Sequence, residues 1–379
     1  MINVILAGHA LFVLAFDYVP EGLASAISGA LMVGYVSVAL INFGRGRHLD
    51  VLKFALPIWG ISICWIIGSL VWANDPTPFP PSMLVGVRQG SVFFMFLGIL
   101  AGRSQISARL LKWILYIFIA SALGHALLLP KEILNFSPRF APFTAGLHTT
   151  GYILVILMLA AFTLHRQHEV SRNIFIVICG ALIFLIIGNG VRTPILFLII
   201  IVGLQVFRDD RNRLGVSPYL YIVAGFVLAA FTAFFVFGDV NELSQFSSGR
   251  IPNYAERLTR IYQRGVPTFL FGTGPGTDLL RTGIWWWDYK DSHSDILKYI
   301  WESGLFGALV VAGWFYLGSS YKRGNLFAPF AALALTSCIS NALLVRPNAI
   351  FLFFAVICYS LAMKELSEEK AKALQRELG

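Results

Sequence analysis

Twelve apolar segments, most of them long enough to cross a membrane as a helix, run through almost the whole chain. Such a helix needs roughly 20 mostly apolar residues. The segments are 2–16, 22–43, 54–73, 83–101, 110–129, 147–164, 173–188, 191–207, 217–237, 294–318, 326–343 and 347–363. Only 13% of the 379 residues are charged, too few to cover a soluble protein of this size. We therefore predict an all-α polytopic membrane protein with about twelve transmembrane helices, and exclude a soluble enzyme, a disulfide scaffold and a disordered chain.

The net charge of +9 is explained by topology and does not require a nucleic-acid partner. If both termini are cytoplasmic, four basic residues fall in the short outer connections: Lys131, Arg139, Arg192 and Arg346. Thirteen fall in the inner ones: Arg45, Arg47, Lys53, Arg103, Arg109, Lys112, Arg166, Arg172, Arg208, Arg211, Arg213, Lys322 and Arg323. Lys and Arg are retained on the cytoplasmic side. The asymmetry predicts an even number of spans.

One long polar stretch, residues 238–293, interrupts the apolar segments and falls on the outer side in this topology. We predict transmembrane helices 1–9 in 1–237, an outer loop in 238–293, helices 10–12 in 294–363 and a cytoplasmic tail in 364–379. A loop this long in a compact protein is usually functional.

Residues 253–265 within this loop have helical spacing. The predicted apolar face carries Tyr254, Leu258, Ile261 and Tyr262. Arg257, Arg260 and Arg264 recur on another face, and Arg250 stands just before the helix. Clustered guanidinium groups can hold a pyrophosphate at several oxygens. The alternative is a solvated helix face. For the cluster as a whole we favour anion binding.

Residues 272–276 read Gly-Thr-Gly-Pro-Gly and predict a tight turn, with backbone N–H groups contacting an anion as the alternative. The segment lacks the Lys-Ser/Thr of a phosphate-binding P-loop.

Trp285, Trp286 and Trp287 follow in a row. Tryptophans near a membrane surface are usually interfacial anchors. Stacking against sugar rings is the functional alternative.

His293 is the most informative single residue, because it lies where the loop enters the tenth predicted span. Ser292 and Asp295 predict a capping box that places His293 in the first helical turn. The helix dipole there disfavours the imidazolium, and a neutral imidazole can accept a proton from a hydroxyl. Gly304 and Gly307 are predicted to share its stripe and to let a neighbouring span pack closely. The alternative is a structural histidine at a helix end.

Two further arginines are predicted at or within spans. Arg192 follows a predicted tight turn at 188–190, and Arg88 lies inside the fourth span. A charge in a membrane normally faces a cavity or a partner. Arg192 fits an outer-leaflet phosphate site, whereas Arg88 fits either such a site or a packing ion pair.

These residues resemble the superfamily of O-antigen ligases and O-antigen or exopolysaccharide polymerases. His293-Ser294, nine residues, and then Gly304-Leu305-Phe306-Gly307 match its H-[N/S/Q]-x9-G-x-x-[G/T/Y] signature. The Phe-Gly-Thr-Gly-Pro-Gly run at 271–276 is similar to its G-x-G-x-G segment. The Ser-Gly-Arg at 248–250 and the Gly-Val-Arg at 190–192 resemble its arginine motifs. Arg139 is a weaker match to the arginine before the sixth span.

The resemblance implies an inverting, metal-independent glycosyltransferase of the GT-C type, without a cofactor, in a bacterial inner membrane with its site facing the periplasm. The donor would be an undecaprenyl-pyrophosphate-linked glycan. Arg192 and Arg250 would hold the pyrophosphate, with Arg257, Arg264, Arg88 and Arg139 as further candidates. His293 would activate the acceptor hydroxyl.

Two acceptors fit the same motifs. A polymerase extends another lipid-linked repeat unit, and a ligase attaches the finished glycan to lipid A core. We favour a polymerase, since more members of such families build chains, and a chain-length regulator is then a candidate partner beside membrane lipids. A lipid-linked oligosaccharide transporter is a more distant alternative, disfavoured by the lack of an internal repeat, and a structural membrane subunit is a third.

Overall fold

The protein is predominantly helical in the computed structural model, which describes residues 1–46, 49–74, 77–134, 137–209 and 249–378. The α-helices are α1 (Ile2–Ala15), α2 (Glu21–Gly44), α3 (Ala55–Val71), α4 (Met83–Ala101), α5 (Ala108–Leu128), α6 (Leu147–Arg166), α7 (Arg172–Asn189), α8 (Arg192–Asp209), α9 (Arg250–Tyr262), α10 (Val266–Phe271), α11 (Asp295–Gly324), α12 (Phe327–Ile339) and α13 (Pro347–Leu378). Short 3-10 turns occupy Phe16–Tyr18, Leu49–Phe54, Trp72–Asn74 and Arg103–Gln105. Two three-residue strands, β1 (Glu132–Leu134) and β2 (Ser137–Arg139), pair antiparallel.

Eight helical segments among the described residues are long and apolar enough to cross a membrane. They are Glu21–Gly44, Leu49–Asn74, Met83–Ala101, Ala108–Leu128, Leu147–Arg166, Arg172–Asn189, Asp295–Tyr321 and Pro347–Glu377. Shorter apolar helices at Ile2–Tyr18, Arg192–Leu204 and Phe327–Ile339 coincide with three more predicted segments. The predicted ninth segment, 217–237, lies outside the described residues. The helices agree with a polytopic membrane protein, and the count of twelve spans stays a prediction.

The chain forms two compact units, and each draws on segments far apart in sequence. The first unit comprises Met1–Ile58, Arg88–Leu196 and Leu343–Gly379, and the second comprises Trp59–Val87 and Phe197–Ala342. The described part of the predicted outer loop, from residue 249 onward, belongs to the second unit.

The core of the first unit lies where α6 packs against α7 and α13. In α6, 78% of the most apolar window is buried, compared with 22% in α7. A helix that is apolar all round is expected at the centre, and one that exposes apolar side chains is expected to face lipid. Arg103 is buried here and donates two hydrogen bonds to the carboxylate of Glu365, at 2.9 and 3.0 Å.

In the second unit, α10 ends against the backbone of α11. Gly304 has φ +67° inside α11, and a Cβ there would lie 2.3 Å from the carbonyl carbon of Leu270. Only glycine adopts this conformation without strain and admits so close an approach. The carbonyl groups of Trp301 and Glu302 accept hydrogen bonds from the N–H groups of residues 273 and 274, at 3.2 and 2.9 Å. These contacts hold residues 273 and 274 against α11, at the start of the loop that leads to residue 293.

Candidate functional site

His293 lies just before α11 and has an unusual backbone conformation. Its φ is +52°, in the left-handed region that non-glycine residues seldom adopt. Helix α11 begins at Asp295, and the Ser294 hydroxyl oxygen accepts the N–H of Leu297 at 3.3 Å. Ser294 is therefore the helix cap. The prediction of a Ser292–Asp295 capping box, with His293 in the first turn, is wrong.

This correction also removes the predicted stripe of His293 with Gly304 and Gly307, because helical angles do not extend to a residue outside the helix. At Gly307 a Cβ would meet the Ser303 side chain of the same helix, whereas its 3.4 Å distance to Ile61 Cδ1 would be an ordinary contact, so packing against Ile61 does not require glycine. Strained backbone is often retained where it positions a functional side chain. The conformation of His293 is thus itself a reason to examine its surroundings.

The imidazole of His293 forms a pair with the carboxylate of Asp291. His293 Nδ1 lies 3.3 Å from Asp291 Oδ1, and the backbone N–H of His293 donates to the same oxygen at 3.1 Å. Asn341 Nδ2 donates to the other carboxylate oxygen at 2.8 Å. A carboxylate on Nδ1 fixes the ring orientation and the tautomer, which directs Nε2 away from Asp291 as a proton acceptor.

Arg250 and Tyr254, from the first turns of α9, contact the segments around His293. The guanidinium of Arg250 donates to the Ser340 hydroxyl at 3.3 Å. The hydroxyl of Tyr254 lies 2.8 Å from the His293 carbonyl oxygen and 2.9 Å from that of Ile339. Burial raises the pKa of Tyr254, so its O–H stays protonated and able to donate.

The titration of the pair favours a neutral histidine beside an ionised carboxylate. Burial lowers the pKa of the His293 imidazole below its ordinary value; Asp291 opposes this shift and Arg250 adds to it. Burial disfavours ionisation of Asp291, but the charge of His293 and the hydrogen bond from Asn341 contribute to a lowered pKa. At neutral pH the imidazole can therefore accept a proton while Asp291 stabilises the resulting imidazolium.

The end of α12 is tied to the start of α11, which brings Ser340 and Asn341 to the site. Asp295 accepts the N–H of Ala342 at 3.0 Å, and its own N–H donates to the Ser340 carbonyl at 3.3 Å. The hydroxyl of Ser294 donates to the Cys338 carbonyl at 2.9 Å. These buried bonds hold the two helix ends in register.

Of the three predicted tryptophans, Trp285 contacts the site directly. Its ring meets the imidazole of His293 edge to face, with centroids 4.9 Å apart. Trp286 and Trp287 are exposed and pack against each other. Trp285 thus forms one wall beside the histidine, whereas the other two are available to solvent, lipid or ligand.

Arg257, predicted to bind a phosphate, is buried and engaged by the protein itself. Its guanidinium pairs with the buried carboxylate of Asp278, donates to the Lys290 carbonyl at 2.6 Å and bonds the side-chain oxygen of Asn253 at 3.0 Å. The buried residues of α9 are Asn253, Arg257 and Ile261. Of the predicted apolar face, Ile261 is buried but Leu258 and Tyr262 are exposed, because the helix turns Arg257 inward to its ion pair. Arg257 therefore stabilises the loop through these bonds, and the prediction that it binds a phosphate is corrected.

The glycine-rich turn at 272–276 uses its N–H groups within the protein. In addition to the bonds from residues 273 and 274, the N–H of Gly276 donates to the buried carboxylate of Glu302 at 2.9 Å. This agrees with a tight turn and disfavours the alternative of an anion held by these N–H groups.

The remaining predicted arginines are divided between the units. Arg264 lies near the end of α9, with its guanidinium carbon 3.5 Å from the ring centre of Trp301. Arg88, Arg139 and Arg192 belong to the first unit. Arg88 is exposed on α4, and Arg192 is exposed at the first position of α8.

Arg139 packs on the turn that precedes Arg192. Its Nε lies 3.5 Å from the position that a Cβ would take at Gly190, which ends α7 in a left-handed conformation. The next residue, Phe140, donates its N–H to the Gly188 carbonyl at 3.0 Å. The first unit therefore brings Arg139 and Arg192 to one turn, and the second brings Arg250, Trp285 and His293 together.

Asp291, Ser340 and Asn341 were not predicted. Asp291 stands only two residues before His293, and this local spacing is a signal that sequence reasoning could have used. Ser340 and Asn341 end the eleventh predicted span, whose topology places them on the same side as the start of the tenth.

Comparison with known proteins adds no relative: no protein-family model matches the chain, and no curated protein or solved structure is significantly similar to it.

Proposed function

We propose that this chain is an inverting, metal-independent glycosyltransferase of the GT-C type that transfers a lipid-pyrophosphate-linked glycan to an acceptor hydroxyl. The observation that carries the proposal is the Asp291–His293 pair. It combines a carboxylate-oriented imidazole, a pKa lowered by burial and a strained backbone, with the Arg250 guanidinium close enough to affect titration. This is the arrangement expected of a general base beside an anionic substrate.

His293 acts on the acceptor. As the acceptor oxygen forms a bond to the anomeric carbon, its proton passes to Nε2 of His293, and Asp291 stabilises the imidazolium. The bond from the anomeric carbon to the pyrophosphate oxygen breaks at the same time, and its electron pair leaves with the pyrophosphate. Attack opposite the leaving group inverts the anomeric configuration.

Arginine side chains offset the charge that develops on the leaving pyrophosphate. Arg250 is the arginine of the second unit that contacts the segments around His293. By the sequence resemblance, Arg192 is the other pyrophosphate ligand, with Arg139 on the same turn. The donor is then an undecaprenyl-pyrophosphate-linked glycan, and the site faces the periplasm from a twelve-span bacterial inner-membrane protein.

The acceptor is another lipid-linked repeat unit if the enzyme is a polymerase, which we favour, or lipid A core if it is a ligase. A deletion strain separates the two. Loss of the glycan ladder with retention of one capped repeat unit indicates a polymerase. Loss of both, with accumulation of lipid-linked polymer, indicates a ligase.

The proposal is tested by substituting His293→Ala in purified protein and measuring glycan transfer from the lipid-pyrophosphate donor. Loss of a general base is expected to lower turnover by about 10²–10⁴-fold. His168→Ala is the matched control, because His168 is another non-helical histidine with a left-handed backbone, φ +58°, but is exposed and lies outside the site. It is expected to leave turnover unchanged.

Wild-type turnover in a folded His293→Ala variant would contradict the proposal. Movement of lipid-linked glycan across a membrane without formation of a new glycosidic bond would instead identify a transporter.

A further inference from the structure

A second polar site, separate from His293, lies at the other end of α9. It is a pocket of about 620 Å³, within the size range of small-molecule sites. Arg260, Arg264 and Arg281 line it together with Trp301 and Tyr289. We call it the arginine pocket. The lining residues that the structure describes all belong to the second unit, and His293 is not among them.

Aromatic rings orient two of the guanidinium groups. The guanidinium carbon of Arg264 lies 3.5 Å from the ring centre of Trp301, and that of Arg281 lies 4.6 Å from the ring centre of Tyr289. A guanidinium stacked on a ring uses its face for that contact, while its N–H donors point outward in the plane. Carboxylate and phosphate oxygens bind in that plane, often bidentately.

The charge of the pocket favours an anion. Its described lining residues include three arginines and no carboxylate. Glu256 pairs with Arg260 at 2.6 Å and also accepts the N–H of Gly283 at 2.7 Å. We assign the ligand to Arg264 and Arg281, because the rings of Trp301 and Tyr289 orient their guanidinium groups at the pocket.

The described lining of the pocket does not include Arg250, which lies about three turns earlier on α9. An α-helix rises 1.5 Å per residue, so the ten residues from Arg250 to Arg260 correspond to about 15 Å. Arg250 contacts the end of α12, whereas Arg260 and Arg264 line the pocket. An anion in the pocket is therefore a different group from the one beside His293.

We propose that the arginine pocket binds an acidic sugar unit of the glycan, one that carries a carboxylate or a phosphate. The inference rests on the proposed function and extends it to the choice of glycan. The side-chain amides of Gln263 and Asn74 also line the pocket and suit sugar hydroxyl groups. A glycan whose reacting end lies at His293 thus binds the arginine pocket through an acidic unit that is remote from the reacting end.

Titration calorimetry on the purified full-length protein tests this without any transfer reaction. The probes are digalacturonate against its uncharged dimethyl ester, and glucose 6-phosphate against glucose. We expect at least one acidic probe to bind tenfold or more tightly than its neutral partner, and the pair that responds tells carboxylate from phosphate.

Arg281→Gln and Arg264→Gln are expected to weaken that binding at least tenfold. Arg250→Gln is the matched control, the same substitution at the opposite end of the helix, and is expected to leave it unchanged. Unchanged melting temperatures of the variants establish that they are folded, and Arg281, which is exposed, is the substitution least expected to disturb folding.

Three results would overturn the inference: equal binding of acidic and neutral probes, full binding by Arg281→Gln, or displacement of the probe by phosphatidylglycerol vesicles, which would make the pocket a lipid site. The two proposals can fail separately. Acidic-sugar binding without His293-dependent transfer refutes only the enzyme, and transfer without such binding refutes only the pocket.

Discussion

The two ends of α9 use the same residue type for different purposes. At the first turn, Arg250 contacts the chain around His293, where the proposed reaction takes place. At the other end, Arg260 in the last turn and Arg264 just beyond it line a pocket whose described lining does not include the histidine. Between them, Arg257 is fully buried and paired with Asp278. A structural ion pair in the middle of α9 thus lies between the proposed reaction centre and the proposed recognition pocket.

The role of each arginine in α9 follows from the surroundings of its helical turn. Arg257 faces the interior and satisfies a buried carboxylate, the side-chain oxygen of Asn253 and the carbonyls of Asp278 and Lys290. Arg260, one turn later, is 42% exposed and pairs with Glu256 on the same helix. Both are arginines of one amphipathic helix, yet only the second reaches the lining of the arginine pocket.

The largest expected effect is on stability. Removing one partner of a buried ion pair leaves the other charge uncompensated, so Arg257→Ala should destabilise the protein by about 3–5 kcal/mol. Arg260→Ala should cost no more than about 1 kcal/mol, because its partner is partly exposed. Thermal unfolding in one detergent compares the two variants directly.

A double substitution sharpens this test. Arg257→Met with Asp278→Leu replaces both charges by apolar groups and should recover part of the lost stability. Recovery is incomplete because Asn253 and the Ser292 N–H lose their hydrogen-bond partners. Equal melting temperatures for Arg257→Ala and Arg260→Ala would show that α9 does not divide its arginines as described.

The next effect is on turnover. Asp291→Asn keeps the size of the side chain but removes the charge that orients His293 and stabilises its imidazolium, so we expect turnover to fall by about 10–10²-fold. Asp288→Asn is the matched control, since Asp288 lies in the same loop, is largely exposed and pairs with Lys290. A loss of equal size in both variants would mean that Asp291 acts only through the fold of the loop.

The smallest expected effect is a shift in the pH dependence of kcat. It separates an electrostatic effect on His293 from a general loss of folding. If neutral His293 is the base, kcat rises with pH through its pKa, which lies below the ordinary value. Removing the positive charge in Arg250→Gln raises the pKa of His293 and moves the rise of kcat to higher pH. Removing the negative charge in Asp291→Asn lowers it and moves the rise of kcat to lower pH. Shifts in the same direction would contradict the assignment of His293.

The spans and the position of His293 were accessible from sequence because they depend on local patterns. Apolar runs of helical length identify α2 to α7, and the histidine stands out at the boundary of a polar loop. Which face of α9 is buried was not accessible from the sequence. The apolar pattern pointed to one face, but the buried ion pair of Arg257 with Asp278, twenty-one residues away, determines which face packs inward.

The partners of His293 illustrate the same limit. Asn341 reaches Asp291 across fifty residues, and this contact depends on how the end of α12 docks on the start of α11. The left-handed backbone of His293 combines a local bond, from its N–H to Asp291, with a distant one, from the Tyr254 hydroxyl to its carbonyl.

The most direct test of the account is steady-state transfer kinetics of His293→Ala and Arg281→Gln on one donor whose glycan carries an acidic sugar. We predict that His293→Ala loses kcat by at least 10²-fold with donor binding retained. Arg281→Gln should raise the donor KM about tenfold, with kcat within a few-fold of wild type. Loss of kcat in Arg281→Gln equal to that in His293→Ala would contradict the separation of chemistry from recognition along α9.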